Sequence, residues 1–417
     1  MNFLYLSFNM WTHKYVLLRL EMNRNNLTNG VRERLKRLPQ PHEAHYGVVP
    51  LPPPEDGIPV NHVLVRLSAA DTALAKIQTL AAELNDPYLI SRILPRREAV
   101  SSSSIEGTNI TLDELLSIEE NDDSEKSDAA VQVRDYALAL DDFLPRAHTE
   151  RHALFTVKFV QDLHRAVMKG DADYKDVPGE LRRVVVWIGG AGHIANSTYN
   201  PTPPDDIPAC LAETMTYMRC EGMQAMVQSV IVRMAIAHSH FEAVHPFHDG
   251  NGRAGRLLLP LMMAAEGLTP VYLSPYIEVH KQAYYDSLKA AQQRLEWQQL
   301  IGFLSDAIVG TADELLATRD ALRRLGAIWR NRRKLRKDSG AERALDVLPH
   351  YPVSTIRRLS KLLDISTPAA TTAVEQLIEA GILVERTGYA RNRVFVATEA
   401  LTIIDRPFGQ ETVLPEG

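Results

Sequence analysis

The chain has 417 residues, 45% of them hydrophobic, with 46 basic residues against 52 acidic ones. That length and apolar content support two or three domains with cores of their own, and the mild acidity gives no whole-chain case for binding nucleic acid or an anionic membrane. Cys210 and Cys220 are the only cysteines and have neither a CxxC spacing nor a disulfide framework, which excludes a disulfide-stapled scaffold and points to a reducing, cytoplasmic compartment.

The opening MNFLYLSFNMWTHKYVLLRLEMNRNN is apolar and aromatic. Thr12, His13 and Lys14 interrupt it before a membrane-spanning length, and it has no basic leader or small-residue cleavage site. Residues 1–44 are expected to be a poorly structured extension, with Met22 as an alternative start. Prolines between Pro39 and Pro59 predict an extended arm leading into a helical domain over 45–150. In that domain VLVRLSAADTALAKIQTLAAEL and ILPRREAVSSSSIEG carry apolar residues at helical spacing, and TLDELLSIEE starts from a capping Thr111. A charged loop from Asn121 to Asp128 precedes two more helical segments.

The core, 151–310, changes pattern once. From Val184 to Tyr199, β-branched residues flank a glycine turn, which predicts a β-hairpin. Helices resume with IPACLAETMTYMRC, QAMVQSVIVRMAIAHSHFEAV and HKQAYYDSLKAAQQRLEWQQLIGFLSDAI. Pro260 is expected to bend the helix of RLLLPLMMAAEG, since proline removes a backbone donor. Residues 311–340 predict an arginine-rich connecting helix. Residues 341–400 have the order of a winged helix-turn-helix, with AERALDVLPHY, TIRRLSKLLD and STPAATTAVEQLIEAG as helices, then two strands around Gly388 and a tail over 401–417. The third of those helices, Thr367 to Ala380, holds no Arg or Lys, the usual readers of guanine and phosphate, so binding of a protein or docking on the chain's own core stands beside DNA binding.

The densest chemistry lies in HPFHDGNGRAGR, His245 to Arg256. Gly250, Gly252 and Gly255 let backbone N–H groups approach an anion, and the apolar helix that follows would offer its N-terminus to phosphate. His245, Asp249, Arg253 and Arg256 add a proton acceptor, an oxygen ligand for a hard cation and two planar donors. A plain helix–helix turn explains neither the glycines nor this set of charges. His164, His193, His238 and His240 lack metal-ligand spacing and read as structural, and Trp187, Trp297 and Trp329 read as core. There is no GxxxxGK(S/T) phosphate loop.

The segment matches every fixed position of HxFx(D/E)GNGRxxR and so resembles the signature of Fic-domain proteins. Upstream, SSSIEG resembles the family's inhibitory motif (S/T)xxxE(G/N), with Ser102, Glu106 and Gly107 in place, as in the subclass whose inhibitory helix precedes the core. The resemblance implies a mainly α fold: a Fic-type helical core with a β-hairpin flap, an N-terminal helical inhibitory segment and the C-terminal winged helix.

It implies a nucleotidyltransferase that moves AMP from ATP to a Ser, Thr or Tyr hydroxyl of a target protein and to itself. His245 would be the base and Asp249 the Mg²⁺ ligand. Gly250, Asn251, Gly252, Arg253, Ala254, Gly255 and Arg256 would hold ATP, the two arginines at its β/γ end, together with Ile188, Gly189, Gly190 and Ala191 of the flap and Tyr284 and Tyr285 near the adenine; the flap's free edge would align a target peptide. Glu106 would restrain the enzyme by pairing with Arg256, although read alone it is a surface glutamate in a serine-rich turn. A homodimer without membrane attachment is also implied. The alternatives are a hydrolase that removes AMP, with Glu106 positioning water, and a winged-helix transcription regulator that senses a nucleotide.

Overall fold

The computed structural model describes residues 24–83, 86, 88–89, 91–120, 127–190, 192–222, 224–386 and 393–415. The expected Asn121–Asp128 loop, apart from its last two residues, and the turn at Gly388 lie outside them, as do residues 1–23. Residues 24–44, expected as unstructured, are instead built into the body. Strand β1 (Leu35–Arg37) pairs antiparallel with β2 (Tyr46–Val48), Leu35 opposite Val48. Leu27 and Val31 are buried with Val48, Tyr199 and Ala243, so apolar side chains anchor what the composition suggested was loose.

Helix α1 (Leu64–Gln78) is followed by α2 (Ile93–Ile105), whose end is written in its sequence. Gly107 takes φ 93°, and the amides of Gly107 and Thr108 donate to the Ser104 and Ser103 carbonyls. Glycine is the residue that adopts this left-handed C-terminal turn without penalty. Helix α3 (Leu112–Glu120) begins with a reciprocal cap: the Thr111 amide donates to Glu114 Oε2 at 2.8 Å and the Glu114 amide to Thr111 Oγ1 at 3.1 Å. Ser127 and Thr156 cap α4 (Asp128–Glu150) and α5 (Val157–Met168) one way only, their hydroxyls accepting from the Ala130 and Phe159 amides.

In the Val184–Tyr199 segment, one antiparallel bridge, Ile188 to Tyr199, replaces the expected hairpin ladder, and Ile194–Asn196 forms a 3₁₀ turn. Gly189, Gly190 and Gly192 all adopt positive φ, which turns the chain too tightly for strands to extend. Beyond it come α6 (Ile207–Met218), α7 (Val230–Val244), α8 (Asn251–Ala265), α9 (Ser274–Val279), α10 (Lys281–Arg294) and α11 (Trp297–Arg332). Helix α7 is buried along its whole length, against α6, α8, α10 and α11. Helix α8 runs through Pro260, which leaves the Arg256 carbonyl without its helical donor. Helix α11 is continuous across the expected boundary at 310, so core and connector share one rod; the break falls earlier, at Leu295, in the left-handed region.

The C-terminal module comprises α12 (Gly340–Val347), β3 (Val353–Thr355), α13 (Ile356–Leu363), α14 (Thr367–Glu379), β4 (Val384–Glu385), β5 (Val394–Val396) and α15 (Thr398–Ile404). Its antiparallel sheet has the order β3-β5-β4. The module is packed on the body: β3 against α3, and α15 against α11. Arg358 Nε donates to both oxygens of Glu120 at 3.0 and 3.2 Å, and Arg386 pairs with Asp113. Among the described residues no helix is long and apolar enough to cross a membrane.

Candidate active site

The signature forms the junction of two buried helices. Helix α7 ends at Val244, and His245 follows at φ 50°, its amide donating to the Phe241 carbonyl. This left-handed conformation is uncommon for a residue with a side chain and stores strain where the imidazole meets the cavity. Asn251 then ties the loop internally: its Oδ1 accepts from the Phe247 amide and its Nδ2 donates to the Phe247 carbonyl, both at 2.8 Å. Gly250, at φ 75°, opens α8.

Two side chains hold this loop: Arg182, to which no role was assigned, and His164, expected to be structural. Arg182 is buried and donates only to carbonyls: to His245 at 2.7 Å, Val184 at 2.9 Å, Thr202 at 2.6 Å and Val244 at 3.3 Å. Burial pushes its guanidinium down to about 9. His164 accepts at Nδ1 from the Gly179 amide and donates from Nε2 to the Asp249 carbonyl, each at 2.9 Å, while its ring stacks on Phe247. These two bonds define one neutral tautomer, and burial lowers its pKa to about 4. Arg182 stands in PGELR beside the expected flap, which was its only sequence signal.

A cavity of about 410 Å³ opens onto the loop, a size suited to a nucleotide-class ligand. Glu106, His245, Asp249, Asn251, Gly252 and Arg256 form one side, and Ile188, Tyr284 and Tyr285 another. Gly189, Gly190, Gly250, Arg253, Ala254 and Gly255 do not line it, and Ala191 lies outside the described residues. Arg253 turns towards Asp171, at 3.3 Å. Tyr284 is buried and held by His238, whose Nε2 lies 2.6 Å from the phenol oxygen and whose Nδ1 lies 3.2 Å from the Gly255 carbonyl. Trp187, expected in the core, is half-buried and lines the cavity, its indole edge-on to His42; Trp297 is also half-buried, and Trp329 alone of the three is fully buried.

Ser102, on α2, and Glu106, which caps its C-terminal end, meet Arg256 at the cavity. The guanidinium is 2% exposed; its Nε donates to Ser102 Oγ at 2.9 Å and its Nη2 to the Ser102 carbonyl at 3.0 Å and to Glu106 Oε1 at 2.8 Å. Burial would raise the Glu106 carboxyl, but Arg256 outweighs it and holds it below the ordinary range. Gly252 and Gly255 are ordinary helical residues whose missing side chains make room: a Cβ would overlap the Glu106 carboxylate at the first and that of Glu242 at the second.

Asp249 is an exposed carboxylate on the rim, its Oδ1 accepting from the Gly250 amide at 2.6 Å. An exposed carboxylate on a nucleotide-sized cavity fits Mg²⁺, which takes one or two protein oxygens and completes its shell with water and substrate phosphates. Among the described residues one cluster, His152, Cys220 and Glu266, combines ligand types suited to a softer metal, but Arg233 donates to Cys220 Sγ at 2.7 Å and pairs with Glu266 at 2.6 Å, so a guanidinium takes the cation's place.

Residues 64–142 match the model described as "Fic/DOC family N-terminal" and 154–263 the model "Fic/DOC family". The chain is 27% identical over 251 residues to "Protein adenylyltransferase Fic" of Culex quinquefasciatus, covering 60% of this chain and 46% of that protein. It is 34% identical over 143 residues to "Protein adenylyltransferase fic-1" of Caenorhabditis briggsae, covering 34% and 25%. The chain thus spans less than half the length of these relatives. A crystal structure of a Fic family protein from Desulfovibrio desulfuricans superposes with a TM-score of 0.52 at 17% identity, covering 83% of this chain and 98% of that one, a likeness of fold.

Proposed function

The chain belongs to the Fic/DOC family, and on that premise we propose that it transfers AMP from ATP to a hydroxyl of a target protein and is restrained by Glu106. The observation that carries this reading is the meeting of His245, Asp249, Arg256 and Glu106 at one cavity although α2 and the signature are far apart in sequence.

Burial, reinforced by Arg182, lowers His245 to about 4, against the smaller opposing effects of the Glu242 backbone and Glu106. The imidazole is therefore unprotonated at neutral pH and free to accept the proton of an attacking hydroxyl. Asp249 would hold Mg²⁺, which supplies charge neutralisation at the phosphates when bound. Arg256 is the buried donor for the terminal phosphates. With Glu106 in place, Arg256 is committed to a carboxylate, and a negative charge stands where another anion must sit. Release of Glu106 frees the guanidinium.

The C-terminal module reads as a winged helix docked on the chain's own body. Arg358 and Arg386 are held by Glu120 and Asp113, and Arg393 by Glu385, which leaves fewer free cations to meet DNA phosphates and favours self-docking over a DNA regulator.

Labelling with α-³²P-ATP and Mg²⁺ tests the whole reading. His245→Ala should bind ATP and transfer nothing; retained transfer would refute His245 as the base. Loss of an AMP-removing activity in Glu106→Gly, without any gain of transfer, would establish the hydrolase instead.

A further inference from the structure

Glu242 lies in the last turn of α7, three residues before His245, and is 7% exposed. Its Oε2 is 3.7 Å from His245 Nδ1. The other oxygen, Oε1, is buried without a hydrogen-bond partner, and so is Nδ1 of His245. Both residues line the cavity, and Gly255 makes the space that the carboxyl fills. A buried carboxyl oxygen without a partner is costly to keep, and its persistence beside an imidazole whose only other influence from this turn is the Glu242 backbone calls for a use.

A neutral imidazole has one N–H and one lone pair, so it takes a proton at Nε2 only as the Nδ1–H tautomer. That tautomer needs an acceptor beside Nδ1; the same turn offers the Glu242 backbone and, at 3.7 Å, the Glu242 carboxylate, and the carboxylate is the one that carries charge. We propose that Glu242 is a positioning residue that holds His245 as the Nδ1–H tautomer and stabilises the imidazolium formed during transfer. This rests on the adenylyl-transfer reading. In the step, the target O–H bond breaks and its proton goes to Nε2; the oxygen forms a bond to the α-phosphorus. The bond from that phosphorus to the bridging oxygen breaks, its electron pair leaving with pyrophosphate. The Nδ1 proton stays on the ring, facing the Glu242 carboxylate, and Nε2 later returns its proton to water.

Burial, the largest influence, raises Glu242; Arg256 lowers it and Glu106 raises it, giving about 7. Tyr284 and Tyr285, facing it from α10, remain protonated, since burial raises both. His245 is pressed down by burial and Arg182. Glu242 therefore gains its charge as pH rises through neutrality, and the rate should rise with it. Removing Glu106 takes away a negative neighbour and moves that rise to lower pH.

The test uses the full chain in a Glu106→Gly background, with kcat and KM for ATP followed from pH 5.5 to 9. Glu242→Gln should lower kcat by about tenfold or more with little change in KM, and flatten the rise with pH; Glu242→Asp should recover part of the rate and keep the rise. Unchanged kcat and pH profile in Glu242→Gln would overturn the proposal, as would a rise in KM alone, which would make Glu242 a nucleotide ligand. Nitrogen-15 shifts of the His245 ring report the tautomer without any turnover. Glu242→Gln should reduce the Nδ1–H form, and an unaltered tautomer would also overturn the proposal. If Glu106→Gly transfers no AMP while the tautomer responds to Glu242→Gln, the reaction assigned is wrong and the pairing stands.

Discussion

Replacing Glu106 by glycine removes one of the three hydrogen bonds that the Arg256 guanidinium donates and leaves the two to Ser102. A charge-assisted bond of this kind contributes about 1.5–3 kcal/mol when well shielded. The arginine is 2% exposed, but the Glu106 side chain is 38% exposed, so solvent screens the pair and about 1–2 kcal/mol is the better figure. Since 1.4 kcal/mol is tenfold, the fraction of molecules with a free Arg256 should rise roughly five- to thirtyfold. Automodification with labelled ATP and Mg²⁺ reads this as an initial rate. Arg256→Ala should be silent, and Glu106→Gly with Arg256→Ala equally silent, because release is useless once the released group is gone. An unchanged or lower transfer rate in Glu106→Gly, or transfer by the double variant, would refute the reasoning.

Arg182→Ala should abolish transfer and lower stability by about 3–5 kcal/mol, since four carbonyls around His245 lose a buried donor at once; urea unfolding would measure it, and a loss below 1 kcal/mol would contradict the role. Acid should also destabilise the fold. Burial depresses His164, His238, His240, His245 and His350 below their unfolded values, so their contribution is complete above about pH 6.5 and is lost as pH falls towards about 4 and 3. Burial raises Glu242, Glu98 and Asp405, which gain stability as pH falls and offset part of this. The five depressed histidines outnumber the three raised carboxyls, so stability should fall between pH 6 and 5; stability that increases on acidification there would refute it. For the docked module, Arg358→Glu and Glu120→Arg should each lower the melting temperature and the pair together should recover part of the loss, with a coupling of about 1 kcal/mol in a double-mutant cycle. Strict additivity would mean the contact does not hold the module.

Local sequence determined much of this molecule because it depends on near neighbours. Gly107 ends α2 at the residue that presents Glu106, Thr111 and Glu114 cap α3 reciprocally, and Gly250 permits the positive φ that opens α8. The identity of the signature residues and the i, i+4 spacing of Ser102 and Glu106 were legible for the same reason, and the spacing placed both on the face that reaches Arg256. The hairpin was less legible: its β-branched residues favour strands, but three glycines at positive φ shorten the ladder to one bridge.

Tertiary structure decided which groups meet. Arg182 and His164 act through backbone carbonyls and amides that no side-chain pattern encodes, and only the packed helices show that they hold the loop. Gly252 and Gly255 read as a phosphate cradle in sequence, yet their immediate role is to admit two carboxylates carried by other helices. Residues 24–44 likewise looked loose until Leu27 and Val31 found Val48, Tyr199 and Ala243. Backbone conformation follows from the residue and its neighbours; burial, charge pairing and the titration of Glu242 and His245 follow from what distant segments bring beside them, and those are set by the fold.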